Sequence, residues 1–410
     1  MKKCVLALLA FATLAGAQTQ TVTYTYSGLP IPLYPDDWNV VSVIRIWIPR
    51  ALQVTKVTAS VQVQYAGTGD LNIFLYSAYG TRTKLLERNC GSLVNIDTTF
   101  DDSAPSKFSD ACPQAGTGTS FRGNEPLSNS NGETSYGYWR LAAENNGSNS
   151  KTGLVTGFSL TITGTTTGPP FIGPNSIVST SSFNGGAIAP GDQVSIFGVN
   201  LGPTPGVRAD ATTNLPTSLS GTSVTFDGVA VPLFFVSANV VSVQAPTSLA
   251  PGSGTTVQVT SSAGTTSTVS VPIVPANPGI FTVEAGGGGQ ARAINQDGTQ
   301  NGDGTITGSD TPAPRGSVIS IYASGLGPVN PAIPAGTPAP QKPLSVVTLP
   351  VNATIANQSA NVTYAGAAPG LVGVYQVNIQ VPLTVGSGPA RLVLSVGGND
   401  SQNGVTIQIK

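Results

Sequence analysis

The chain has 410 residues, a formal net charge of −1, 9% charged residues and no histidine. That length supports two to four domains with closed cores, while the near balance of charge excludes a basic footprint for nucleic acid or an anionic membrane surface. Forty-nine glycines and 32 prolines punctuate runs of Thr, Val, Ile and Tyr, a composition of many short strands that excludes an architecture of long helices.

Residues 1–17 read as a cleaved signal peptide. Lys2 and Lys3 form a positive start, Val5 to Leu14 an apolar stretch too short to span a bilayer, and Ala15-Gly16-Ala17 a small-residue cleavage site. Export follows as the expectation, to the extracellular space or the cell surface. Cys4 falls in the removed part, so no lipoprotein anchor is expected, and nothing later in the sequence resembles a membrane span.

Residues 20–164 alternate with a period of two. Val57, Ala59, Val61, Val63 and Tyr65 share one face, with Thr58, Ser60, Gln62 and Gln64 opposite; Leu71, Ile73, Leu75 and Phe158, Leu160, Ile162 repeat the pattern. These are half-buried strands. In an exported chain, Cys90 and Cys112 suit a disulfide better than a metal site, which wants more Cys or His. Such a bridge stabilises by roughly 3 kcal/mol in the chain-entropy view; two reduced core cysteines are the alternative. The alternation stops at "GTTTGPP", and residues 165–171 read as a linker.

The remainder is duplicated. "PGDQVSIFGVNLGP" from Pro190 recurs as "RGSVISIYASGLGP" from Arg315, and "VVSVQAP" from Val240 recurs as "QVNIQVP" from Gln376. Order and spacing are kept, which is the grammar of an antiparallel sandwich of about 100 residues repeated once. The expected units are 172–275 and 276–410. The fold class expected for the whole chain is all-β, with a jelly-roll β-sandwich followed by two immunoglobulin-like β-sandwiches.

Several motifs carry family resemblances. Asp70-Leu71 entering a strand, Gly80-Thr81, Leu85-Leu86 and "GYWRLAAENNGSNSKTGLVTGFSLTITG" from Gly137 resemble the P/Homo B domain of proprotein convertases and kexins over about 110 residues. Ala78-Tyr79 replaces the family's Ser-Pro, and Phe158 its last Trp. The resemblance implies a jelly roll that stabilises a neighbouring subtilisin-like catalytic domain or serves as a secreted binding module. From about Phe171 onward, "PGDQVSIFGVNLGP", "NPGIF", "GSVISIYASGLGP" and "YAGAAPGLVGVYQVNIQVP" resemble an uncharacterised carboxy-terminal domain family of acidobacterial secreted proteins, and each half resembles the IPT/TIG immunoglobulin-like modules. No activity comes with that likeness.

The missing imidazole bears on chemistry directly. A Ser-His-Asp triad needs a base that titrates near neutral pH, and no other side chain does so unperturbed. A serine-endopeptidase label drawn from the P-domain likeness therefore belongs to a separate catalytic chain, and histidine-ligated catalytic zinc is excluded too. Ser148 and Lys151 match S-x-x-K, but in a turn-like segment without the helix that dyad requires. Asp97, Asp101, Asp102 and Asp110 invite a search for paired glycosidase carboxylates, with a solvated or calcium-binding loop as the plain reading.

Two binding features stand out. "TQNGDGTITGSD" carries Asn301, Asp303, Thr305, Thr307 and Asp310 at the spacing of a calcium loop, with Gly304 at the sharp turn. Thr299 stands where Asp is expected and prolines follow, so a plain Asn/Gly/Asp turn competes with calcium as the one candidate cofactor. Tyr76, Tyr79, Tyr136 and Tyr138 are candidate ligand-contact aromatics, with core packing as the default. The expected function is a secreted, non-catalytic binding, adhesion or scaffolding protein, its partner an extracellular protein or polysaccharide. The alternative is an accessory to a secreted protease.

Overall fold

The computed structural model describes residues 18–33, 42–88, 90, 91, 93–112, 120–146, 152–166, 169–283 and 287–410. The signal-peptide segment 1–17 and the Ser148/Lys151 pair lie outside the described residues. Within them the protein is built from strands, and its α-helix is the single turn Phe108–Ala111. No helix among the described residues is long and apolar enough to cross a membrane.

The first unit contains β1 (Gln18–Thr25), β2 (Ile31–Leu33), β3 (Ser42–Ile48), β4 (Gln53–Gln64), β5 (Leu71–Tyr76), β6 (Arg82–Glu87), β7 (Ile96–Phe100), β8 (Ser120–Phe121), β9 (Gly137–Asn145) and β10 (Gly153–Thr166). One sheet runs in the order β1-β10-β4-β7-β8, with β2 on β10; the other runs β3-β9-β5-β6. Alternation decides which side chains meet between them. Val57, Ala59, Val61 and Val63 of β4 face Ile44, Ile46 and Ile48 of β3 and Trp139 and Leu141 of β9 across one apolar core. Cys90 and Cys112 are joined in a disulfide that ties the segment after β6 to the end of the helical turn.

The second unit opens with β11 (Phe171–Ser179) and β12 (Gln193–Val199). These continue a five-stranded sheet through Val240–Gln244, Leu233–Val236 and Val207–Arg208, which faces a sheet built on Thr222–Phe226 and Gly254–Ser261. Ile196, Val241, Val224 and Val257 meet in its core. In the third unit, Val318–Ser324 lies beside Tyr375–Gln380, and Ile319, Ile321, Val377, Leu392 and Ile407 form the core. The two copies of the repeated sequence thus take equivalent places: β12 pairs antiparallel with Val240–Gln244, and Val318–Ser324 pairs antiparallel with Tyr375–Gln380.

The units are joined by specific contacts. Between the first and second, the Tyr79 ring lies 5.1 Å from Phe197, and Asn175 Nδ2 donates to Thr81 Oγ1 at 3.2 Å and to Glu133 Oε1 at 3.4 Å. Val178 and Phe197 of the second unit join the first unit's core. Between the second and third, Ser324 Oγ donates to Asp192 Oδ1 at 2.8 Å and sits 2.7 Å from Ser181 Oγ. Gln402 Nε2 also donates across the junction to Ser181 O at 3.5 Å.

Asp192 is fully buried at this second junction, and its Oδ2 has no hydrogen-bond partner. Burial raises its pKa to about 7, against the lowering effect of the Ser324 hydroxyl. The folded state therefore holds a proton that the unfolded chain releases near 3.8, so stability falls as pH rises from about 4 to about 7. Asp192→Asn keeps an Oδ1 acceptor and removes the charge. Thermal melts from pH 4 to 8 should show the variant above the wild type at pH 8 and the gap closing towards pH 4; a gap independent of pH would refute this account.

Candidate functional site

The outward face of the β3-β9-β5-β6 sheet carries a side-chain pattern unlike that of a plain solvated surface. Strand β3 buries Ile44, Ile46 and Ile48, which turns Val43, Arg45 and Trp47 outward. Strand β9 buries Trp139 and Leu141 and turns Tyr138 and Arg140 outward. Register then sets the neighbours. Trp47 stands opposite Tyr138 and Arg45 opposite Arg140; Arg140 stands opposite Tyr76 of β5, which stands opposite Arg82 of β6. One row across four strands therefore reads Arg45, Arg140, Tyr76, Arg82, flanked by Trp47 and Tyr138.

Trp47 is 40% exposed, with its ring centroid 4.8 Å from Tyr138 and 5.1 Å from Tyr136. The Arg140 guanidinium lies over Tyr76 at 5.1 Å, and that of Arg82 over Phe74 at 5.1 Å, the geometry of cation–π contact. The ion pairs among the described residues are Lys56–Asp101 and Lys84–Glu87, so none of the three arginines has a carboxylate partner there. Arg45 Nε is buried without a partner. Burial, and then the charge of Arg45, lowers the pKa of Arg140. On its far side Arg45 meets the third unit: a Cβ placed on Gly288 would fall 2.2 Å from its Nη2, so the guanidinium lies close against that backbone.

Of the four aromatics singled out in the sequence, Tyr76, Tyr136 and Tyr138 are half-buried on or beside this face. Tyr79 is not on it. It is buried, its hydroxyl donates to Tyr136 O at 2.9 Å and contacts the Thr134 hydroxyl, and its ring serves the junction with the second unit. The reason lies in the turn that follows β5, which points Tyr79 at β12 and away from solvent. Trp139 is core, donating Nε1–H to Ser135 O at 2.9 Å. Sequence reasoning missed Trp47 and both paired arginines. The signal was present in the alternation of "SVIRIWI", which buries three isoleucines and leaves Arg45 and Trp47 outside.

The four aspartates do not assemble a catalytic pair. Asp101 accepts from Lys56 Nζ at 2.9 Å and from the Ser103 N–H at 2.8 Å. Asp102 accepts the N–H groups of Leu127 and Ser128, both at 2.8 Å, and so anchors the turn Leu127–Ser130. Asp110 accepts from Ser109 Oγ at 3.0 Å. Asp97 accepts from Gln62 Nε2 at 3.2 Å and lines a polar groove of about 320 Å³ on the other sheet, with Ser60, Thr99, Gly157 and Ser159. Beside the groove β10 shifts register against β4 between Val155 and Gly157, and a Cβ on Gly157 would meet the Gln62 side chain at 2.4 Å.

The loop from Thr299 to Asp310 satisfies its own oxygens. Asp310 Oδ2 accepts the Gly304 N–H at 2.8 Å and its Oδ1 accepts the Thr307 N–H at 2.7 Å. Asp303 Oδ1 accepts from the N–H and hydroxyl of Thr305. Asn301 is buried and turned to other elements: it accepts from Gln290 Nε2 and the Gln408 N–H, and donates to Asn295 and Gln408 O. Both Asp310 oxygens, Asp303 Oδ1 and Asn301 Oδ1 thus hold N–H or O–H donors, and the loop closes on its own hydrogen bonds. No group of three or more His, Cys, Asp or Glu set to hold a metal occurs among the described residues.

Fold and site together define a multidomain β-sandwich protein, and comparison with known families agrees. Residues 54–162 match the proprotein convertase P-domain, and residues 174–273 match the IPT/TIG domain. The chain carries these two domains in that order. Among solved structures, it is similar to the Aeromonas sobria serine protease in complex with its chaperone ORF2 at 21% identity, covering 36% of this chain and 26% of that chain with a TM-score of 0.23. It is also similar to the SGBP-B protein of the Bacteroides ovatus mixed-linkage glucan utilization locus, in complex with a heptasaccharide, at 10% identity over 90% of this chain and 70% of that one, TM-score 0.27. The Prevotella bryantii surface glycan-binding protein PbSGBP-B matches at 10% identity over 58% of this chain and 42% of that one, TM-score 0.18. The chain spans about a quarter of the length of the protease structure. No curated protein matches it.

The self-closed loop makes a prediction of its own. The Thr307 N–H, with that of Gly304, holds the Asp310 pKa at about 2, below its ordinary 3.8. Its stabilising effect is therefore complete above about pH 4 and is lost as pH falls through about 2. Asp310→Asn should melt below the wild type at pH 6, with the difference shrinking between pH 4 and pH 2. Chelator should leave the wild-type melting temperature unchanged; a chelator-induced drop abolished by Asp303→Ala would restore the calcium reading.

Proposed function

We propose that the protein is an exported binding protein whose recognition surface is the outward face of the β3-β9-β5-β6 sheet. The observation that carries this reading is Trp47: a large aromatic ring left 40% exposed on a rigid strand, buttressed by Tyr136 and Tyr138 and set beside arginines. Tryptophan, tyrosine and arginine together are the side chains that concentrate binding energy at recognition sites. Leaving Trp47 in water forgoes apolar burial that the fold uses elsewhere. The strands beneath it hold the face in place before any ligand arrives, which lowers the ordering cost of binding.

The rest of the chain supports a scaffold role. Residues 276–410 are a second immunoglobulin-like unit related by duplication to 172–275, and residues 1–17 direct export to the extracellular space or cell surface. The chain binds and holds an extracellular protein or polysaccharide and performs no catalysis, in keeping with the absence of any histidine. An accessory role beside a separately encoded subtilisin-like protease is the second reading, and it rests on the P-domain match alone.

Trp47→Ala tests the recognition face. Retention of the mature chain on insoluble cell-wall and polysaccharide fractions should fall at least tenfold, on the scale of losing one aromatic anchor. The melting temperature should stay within a few degrees of the wild type, since the ring is not core. Retention equal to the wild type would place recognition elsewhere, the polar groove at Asp97 being the next face to probe.

A further inference from the structure

Arg45 and Arg140 stand directly opposite each other on paired strands, a placement in which like charges repel and weaken the sheet. No carboxylate among the described residues offsets it; Arg140 has only the Tyr76 ring beneath its guanidinium. Neither arginine is in an ion pair, Arg45 Nε is buried without a partner, and Arg82 continues the row with only the Phe74 ring beneath it. The nearest outward carboxylate of β9, Glu144, is engaged with Asn72 Nδ2 at 3.2 Å. A sheet that keeps three guanidinium groups in one row with no carboxylate partner among the described residues breaks a local rule of stability, and such breaks concentrate where a ligand completes the structure.

Resting on the recognition face proposed above, we infer that its ligand is an acidic polysaccharide, whose sugar rings lie against Trp47 and Tyr138 and whose carboxylate or sulfate groups sit on Arg45, Arg140 and Arg82. The spacing suits a linear polyanion. Neighbouring strands lie about 4.8 Å apart, so the row from Arg45 to Arg82 spans about 14 Å, enough to meet more than one charged sugar. Guanidinium is the group that takes a planar carboxylate or sulfate through two parallel N–H bonds. An anion between Arg45 and Arg140 turns a repulsive pair into a clamp. The attraction is local, because the chain as a whole has a formal net charge of −1 and draws no polyanion by its overall field. Two outward rows away, Glu144 and Glu87 stand opposite Asn72 and disfavour an anion carried that far off the track.

Affinity electrophoresis of the mature chain through gels containing polygalacturonate, dextran sulfate or unmodified dextran tests this. Retardation is expected in one of the charged gels and not in dextran, with the polygalacturonate and dextran sulfate arms separating a carboxylate ligand from a sulfate one. Arg45→Gln and Arg140→Gln should each weaken binding about tenfold, the scale of one charge-assisted hydrogen-bonded contact. Arg45→Lys should retain part of the affinity, and Lys342→Gln, a cation removed from the third unit, should bind as the wild type. The Arg45→Gln chain should melt no lower than the wild type, which separates loss of a ligand contact from loss of fold.

Trp47-dependent retardation by neutral glucans that ignores the arginine variants would overturn the acidic-ligand inference and leave the recognition face standing. Retardation by no polysaccharide, or capture of an acidic protein alone, would overturn the inference, and Trp47-independent binding would take the recognition face with it. Equal retardation of the wild type and the arginine variants in the charged gels would also overturn it.

Discussion

The strict two-residue period of β3 and β9 is the constraint on which the outward face of their sheet, the proposed recognition face, depends. Ile44, Ile46 and Ile48 on one strand and Trp139 and Leu141 on the other are committed to the core, and a slip of one residue would expose all of them at once. Their burial therefore fixes Arg45, Trp47, Tyr138 and Arg140 on the opposite side in a register that cannot drift. The core sets the outward face without touching it, through hydrophobic burial that no surface contact could match.

The junctions between units obey a different economy. Each uses a buried carboxylate with one unpartnered oxygen: Glu133 where the first unit meets Asn175, and Asp192 where the second meets Ser324. Burial raises the pKa of both. Polar junctions of this kind contribute little net stability but penalise any misaligned docking, since a displaced partner leaves a buried polar group unpaired. Together with the Tyr79–Phe197 contact they hold the first unit against the second, and the Gly288 backbone brings the third unit up to Arg45. One end of the arginine row is in this way framed by a different part of the chain.

Much of the architecture was legible in the sequence for simple reasons. The alternation in β4, the two cysteines now joined, and the duplicated "SIFGVNLGP" and "SIYASGLGP" segments are local patterns with direct structural meaning. The site was legible only in part. Tyr136 and Tyr138 drew attention by alternating with Trp139, whereas Tyr79, which flanks the Gly80 turn, faces Phe197 more than 100 positions away. Burial of that kind depends on how two units dock, and no local pattern encodes it. The Thr299–Asp310 spacing looked like an ion loop because ligand spacing and turn-closing spacing are the same, and in the structure the Gly304 and Thr307 N–H groups close the turn on Asp310.

The sequence by itself determined an all-β chain with a P-domain-like first unit and an internal repeat, and its lack of histidine ruled out a protease triad, because composition and period-two alternation act within a few residues of their cause. The tertiary structure alone decided that Arg45, Arg140, Tyr76 and Arg82 form one row, that Trp47 lies beside it, and that Tyr79 does not. Those four come from strands spread between Ser42 and Asn145, and only hydrogen-bonded register between strands distant in sequence brings their side chains onto a single line.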